Sequence, residues 1–159
     1  INDDKGNYYF MAHDSDVDRL RRTAIKWMEI KDTISDLPSK VILMVDTCHS
    51  GNIMGQQRRR DITGAIKSII NSGKGTVVMT ASTGRGYSIE NNSWGHGAFT
   101  KALIEGIERA KADYNNNRTI TIKEIDLYVT ERVKRLTKGK QKPTTIIPES
   151  VPDFAVGVR

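Results

Sequence analysis

Val41-Ile42-Leu43-Met44-Val45-Asp46-Thr47-Cys48-His49-Ser50-Gly51 changes character at its midpoint, from an unbroken apolar run to a polar cluster around a cysteine. The apolar half is short, rich in β-branched residues and preceded by the break Pro38-Ser39, so it reads as a strand buried on both faces. In parallel α/β sheets, sites form beyond the carboxyl ends of strands. Cys48 stands at such an end, where a rigid element holds it at a crevice. A cysteine in an ordinary core simply packs as a small hydrophobe. Asp46, Thr47, His49 and Ser50 are poor company for that role. From these residues alone both uses of the thiol remain open.

Working outward, Asn2 to Asn7 reads as a turn leading into the apolar run Tyr8 to Met11. Leu20, Ala24 and Trp27 recur at helical spacing and predict a helix over about 17–30. After a polar segment from Gly51 to Asp61, Ile62 to Ile70 reads as a helix and Gly75 to Thr80 as a second buried strand. A loop with Gly84, Gly86, Asn91 and Asn92 precedes a helix from about Gly97, with Phe99, Leu103, Ile107 and Ala110 on one side. Thr121-Ile122-Lys123-Glu124 is a capping box for a helix carrying Ile125, Val129, Val133 and Leu136. Pro143, Pro148 and Pro152 keep the tail extended, and Phe154-Ala155-Val156 is a last strand. Strands alternating with helices predict one α/β domain over 1–159, its sheet mostly parallel with helices on both faces.

A chain of 159 residues with 37% hydrophobic and 28% charged content can bury a core and is not disordered. No run approaches the roughly 18 apolar residues of a membrane helix, and no signal peptide is visible, so no membrane partner is expected. A single cysteine forms no internal disulfide, which points to a reducing, cytoplasmic setting. The net charge of +6 permits nucleic-acid binding. The positive residues gather at Arg58-Arg59-Arg60 and from Lys134 to Lys142 without interleaved aromatics, which favours solvated faces over a nucleic-acid surface.

VILMVDTCHSG at 41–51 resembles the nucleophile motif of metacaspases and bacterial caspase-like peptidases. KGNYYF at 5–10 resembles the segment after that family's catalytic His-Gly. TASTGRGYSIENNSWGHGAFTKALIEG at 80–106 resembles its strand, substrate loop and following helix, and the tail QKPTT…PDFAV its closing strand. Nearly the whole chain is covered in the family's order. The resemblance implies a caspase-like three-layer sandwich and a cysteine endopeptidase. Its Cys48 thiolate would form an acyl-enzyme with help from a histidine base and an oxyanion hole. The Cys48 N–H is one oxyanion donor; in the family the second comes from the Gly after the catalytic His.

None of His13, His49 and His96 matches the family's base. His49 adjoins Cys48, and adjacent side chains at a strand end tend to point apart; His96 belongs to a helix start. That base lies about 50 residues before the Cys, which falls just upstream of Ile1. The first strands and the His segment are therefore expected to be missing from this chain. They are expected either to remain bound as a partner, in a separate chain, or to have been left out of this sequence, because a sheet without them exposes a long edge. Asp46, two residues before Cys48 and on the same face of a strand, matches the acid that lines the pocket for Arg or Lys in metacaspases and paracaspases. The implied substrate is a protein or peptide with a basic residue before the scissile bond. The bland use of Asp46 is to cap its turn. Glu90 is a second candidate acid for that pocket, with a solvated loop charge as its alternative.

Arg58, Arg59 and Arg60 mark a loop where relatives are processed. No cofactor is expected. Asp14-Ser15-Asp16-Val17-Asp18 is the one local cluster of calcium-type ligands, but it lacks the Gly and distal Glu of an EF-hand loop. No Cys/His spacing suits zinc, so no metal residue is assigned. Two alternatives stand beside the peptidase, a catalytically silent scaffold of the same fold and a basic nucleic-acid-binding module. Because the chain opens on Ile1, self-cleavage after Arg or Lys is expected to have freed that end. A Cys48→Ala chain expressed in parallel should then carry a longer N-terminus by Edman sequencing; an identical Ile1 start removes self-cleavage as the cause.

Overall fold

The computed structural model describes residues 1–46, 63–70, 75–82, 88–91 and 94–159. They fall into two compact units, one from Ile1–Val41 and Gly51–Thr76, the other from Ile42–Ser50 and Val77–Arg159.

In the first unit, the Asp3 carboxylate accepts from the Lys5 and Asn7 amides, and the Gly6 N–H donates to the Asp3 carbonyl. This turn feeds β1 (Tyr9–Phe10), which pairs antiparallel with β2 (Ile25–Lys26). Between them lie a 3-10 turn, Val17–Arg19, and the short α1 (Leu20–Thr23). The single helix expected over 17–30 is thus broken at Ala24, whose backbone is extended. Two local demands outweigh helical spacing here. The Ser15 hydroxyl and the Asp16 amide hold Thr23, and the ladder with Tyr9 and Phe10 claims Ile25 and Lys26. The helix resumes as α2 (Trp27–Asp36). Buried Trp27 packs its ring 5.6 Å from Phe10 and donates from Nε1 to Ser68 Oγ at 3.2 Å. Ser68 lies on α3 (Thr63–Ile70), which buries Ile66 and Ile69.

The second unit carries the larger core. β3 (Ile42–Val45) pairs in parallel with β4 (Val77–Thr80), register Val45 with Thr80, and β4 pairs antiparallel with β8 (Thr144–Ile146). β4 is the centre of this sheet, and Val77, Val78 and Met79 have no exposed surface. The expectation of burial on both faces is met by β4 and not by β3, where Met44 is 39% exposed. The reason is position: β4 has a neighbour on each side, whereas β3 ends the sheet among the described residues.

Two further antiparallel pairs follow. One is the hairpin of β5 (Glu90–Asn91) and β6 (His96–Gly97); the other joins β7 (Thr119–Thr121) to β9 (Ala155–Val158). Parallel pairing is confined to β3 and β4 among the described strands, so the mostly parallel sheet of the sequence reading is found only at the strand bearing Asp46. The architecture described is mixed α/β with small sheets.

α4 (Ala98–Ile107) and α5 (Ile122–Leu136) pack on this core with Phe99, Ala102, Ile125, Val129 and Val133 buried. The capping box forms as expected: the Thr121 hydroxyl accepts from the Glu124 amide and the Glu124 carboxylate accepts from the Thr121 amide. The helices approach closely because Gly106 has no side chain; a Cβ there would lie 2.6 Å from Ile125 Cδ1 and 2.9 Å from the Tyr128 ring.

Beside it, Glu105 is buried and bound on both oxygens by Arg132, at 2.7 and 3.1 Å. Lys101 at 3.4 Å, Lys111 at 4.0 Å and the Tyr128 hydroxyl at 3.3 Å complete its shell. The Arg132 hydrogen bonds, aided by its charge and the two lysines, outweigh desolvation and lower the Glu105 carboxyl from 4.5 to about 2. A carboxylate lowered on folding adds stability that is complete above its unfolded value and lost as pH falls through its folded one. Acid titration should therefore show destabilisation between 4.5 and about 2 that a Glu105→Gln chain lacks. At neutral pH that variant should be less stable by about 2–3 kcal/mol in urea denaturation, since half-buried Arg132 and Lys101 lose the charge that pairs with them.

Candidate active site

The site grows from the end of β3. The Val45 carbonyl accepts from the Ala81 amide at 2.9 Å, so the β3–β4 ladder runs one step past the strands and brings Asp46 beside the chain leaving β4. Asp46 is exposed, and both of its oxygens are engaged. Oδ1 accepts from the Ser88 hydroxyl at 2.9 Å and Oδ2 from the Thr100 hydroxyl at 2.5 Å. Thr100 belongs to the first turn of α4, where negative charge is favoured by the helix dipole. Gly97, the residue preceding α4, lets its backbone come close: a Cβ there would stand 3.0 Å from Asp46 Oδ2.

Ile89, the neighbour of Ser88, is held by a partner distant in sequence. The Gln141 side chain is 1% exposed; its Oε1 accepts from the Ile89 amide at 2.7 Å and its Nε2 donates to the Ala81 carbonyl at 2.8 Å. One amide group therefore clamps both ends of the connection between Ala81 and Ile89. Gln141 is itself fixed to α5, because its amide donates to Thr137 Oγ1, which donates to the Val133 carbonyl. The Ile89 carbonyl then accepts the Ala98 amide at the start of α4. The sequence offered no signal for Gln141, Ser88 or Thr100, since each acts through a contact dozens of residues away.

Of the residues singled out beforehand, Cys48, His49 and Arg58, Arg59 and Arg60 lie outside the described residues. Glu90 is exposed in β5 opposite Gly97, the residue whose missing Cβ makes room for Asp46. His96 is not the start of a helix: it pairs with Asn91 in the hairpin, and Gly97 takes the position before α4. His13 is exposed in the first unit.

In the 14–18 run, Ser15 is spent on the Ala12 amide and the Thr23 carbonyl, and Asp16 caps the 3-10 turn and lies 3.8 Å from Arg19. No three acidic, His or Cys donors converge on a metal position among the described residues. Lys134 and Arg135 sit in the last turn of α5, where they offset the helix dipole. A cavity of about 660 Å³ lies in the first unit, lined by charges of both signs from Asp3 to Lys5 and Asp18 to Arg22.

Residues 3–150 match the model of the caspase domain. The chain belongs to the caspase-domain family. The match spans Asp46, Cys48, the hairpin, α4 and Gln141, so the β3 end and its surroundings are family territory. Neither curated proteins nor solved structures give a match. The family is one of cysteine peptidases, whose substrates are proteins. Among the described residues no helix is long and apolar enough to cross a membrane.

Replacing Gln141 by Leu keeps the volume and removes both bonds, leaving a buried N–H and C=O unpaired at about 1–3 kcal/mol each. Hydrogen exchange at the Ile89 amide should accelerate in that variant while the amides of α5 keep their protection.

Proposed function

We propose that this caspase-family chain is a cysteine endopeptidase that cuts protein substrates after arginine or lysine, with Cys48 as nucleophile and Asp46 as the acid of the specificity pocket. The observation that carries this reading is the exposed Asp46 carboxylate at the carboxyl end of β3, two residues before the chain's single cysteine. A basic side chain meets there a fixed negative charge that retains free lone pairs. Glu90, one strand away across from Gly97, supplies a second acid to the same pocket.

Cys48 as the thiolate attacks the carbonyl carbon of the basic residue, and the negative charge moves to the carbonyl oxygen. The Cys48 N–H is assigned as a donor to that oxyanion. Collapse breaks the C–N bond; the departing amine takes its proton from a protonated base and leaves a thioester on Cys48. Water, losing a proton to the same base, then cleaves the thioester and restores the thiolate. The base is a histidine in this family, and none of His13, His49 and His96 is assigned to it. Around the site we take residues 1–159 as one peptidase domain, with β3 and β4 as the parallel centre of a three-layer caspase-like sandwich. Arg58, Arg59 and Arg60 offer a sequence that a protease of this specificity cuts, which makes self-processing part of the reading.

A fluorogenic peptide ending in arginine tests it. Turnover should fall to background in Cys48→Ala, and Asp46→Asn should lose about 100-fold in kcat/KM on that peptide, the scale of an unpaired charge at a binding site. Turnover that survives Cys48→Ala removes the cysteine mechanism.

A further inference from the structure

We propose that the hydroxyls of Ser88 and Thr100 are positioning groups for substrate selection, fixing the Asp46 carboxylate so that it faces a basic side chain in one orientation. This rests on the reading of Asp46 as the pocket acid. An ionised carboxylate offers about four acceptor positions. Among the described residues Ser88 takes one on Oδ1 and Thr100 one on Oδ2, which leaves one on each oxygen. Two acceptors on two oxygens match the paired N–H groups of a guanidinium.

The two donors come from different directions in the fold. Thr100 rides on α4, and Ser88 is 7% exposed in the segment clamped by Gln141. Gly97 closes a third side at contact distance. With both torsions of Asp46 fixed in this way, the free acceptor positions are set before substrate arrives, and less ordering is left to the binding step. Neither hydroxyl touches the substrate in this scheme; each acts through Asp46.

A second effect runs the opposite way. A hydroxyl that donates to a carboxylate draws charge from it and competes with an incoming cation. If competition outweighed positioning, removing the hydroxyls would tighten the binding of a basic residue. The sign of the change therefore decides between them.

The experiment needs no turnover. Nα-acetyl-arginine amide and its uncharged isostere Nα-acetyl-citrulline amide are titrated into the full 159-residue chain by NMR, with thermal melts of each variant alongside. The unaltered chain should prefer the arginine probe, and Asp46→Asn should erase that preference. Ser88→Ala and Thr100→Val should each weaken the arginine probe roughly five- to tenfold with the citrulline probe unchanged, and Thr100→Ser should restore wild-type values. Thr100→Ala replaces Thr100→Val if the valine disturbs α4. Arginine binding that is unchanged or tighter in the hydroxyl-free variants, or falls in step with citrulline, overturns the positioning role while leaving Asp46 as the pocket acid. If the unaltered chain shows no preference, or Asp46→Asn keeps it, the assignment of Asp46 itself fails and the positioning role with it.

Discussion

The second unit depends on the burial of β4. Val77, Val78 and Met79 have no exposed surface, and their strand is paired on both sides, in parallel with β3 and antiparallel with β8. A strand buried on both faces must be apolar throughout and must satisfy every backbone group within the sheet. That constraint orients β3, and β3 in turn delivers Asp46 to the edge where the two strands end. The helices α4 and α5 then cover the core with one close approach, made possible by the missing side chain at Gly106.

Two buried polar groups do work that the apolar core cannot. Glu105 joins α4 to α5 through a two-pronged bond with Arg132, flanked by two lysines. Hydrophobic contact tolerates sliding along the helix axis, whereas a bidentate ion pair accepts one alignment. Gln141 is used differently. Its two amide atoms satisfy the Ile89 amide and the Ala81 carbonyl, so those two residues are held at a fixed separation. The end of α5 is thereby coupled to the loop carrying Ser88, and through Ser88 to Asp46.

This chain of contacts bears on function because a specificity pocket needs its charge in a defined place. Asp46 also serves the fold, since its oxygens tie the end of β3 to Ser88 and to the first turn of α4. The two roles are compatible: a carboxylate has more acceptor positions than these hydroxyls use. Membership of the caspase-domain family supplies the cysteine-peptidase context, and the proposed selection of a basic residue rests on the surroundings of Asp46.

Much of the scaffold could be read from the residues in order. The β-branched runs at 42–45 and 77–80 became the parallel pair, and Thr121 and Glu124 formed the capping box that opens α5. Such features are set by neighbours within a few residues, so their signals are local. Asp46 was legible for the same reason, as a carboxylate placed just after an apolar run. Tertiary structure decided the rest. Ala24 left its helical spacing because β1 claimed the next two residues, and His96 entered a hairpin instead of starting α4. Ser88, Thr100 and Gln141 are unremarkable polar residues in the sequence, and they gain their roles only when folding brings them to Asp46 and to the ends of its loop. A hydrogen bond depends on distance and angle in space, and residue order carries neither for partners more than forty positions apart.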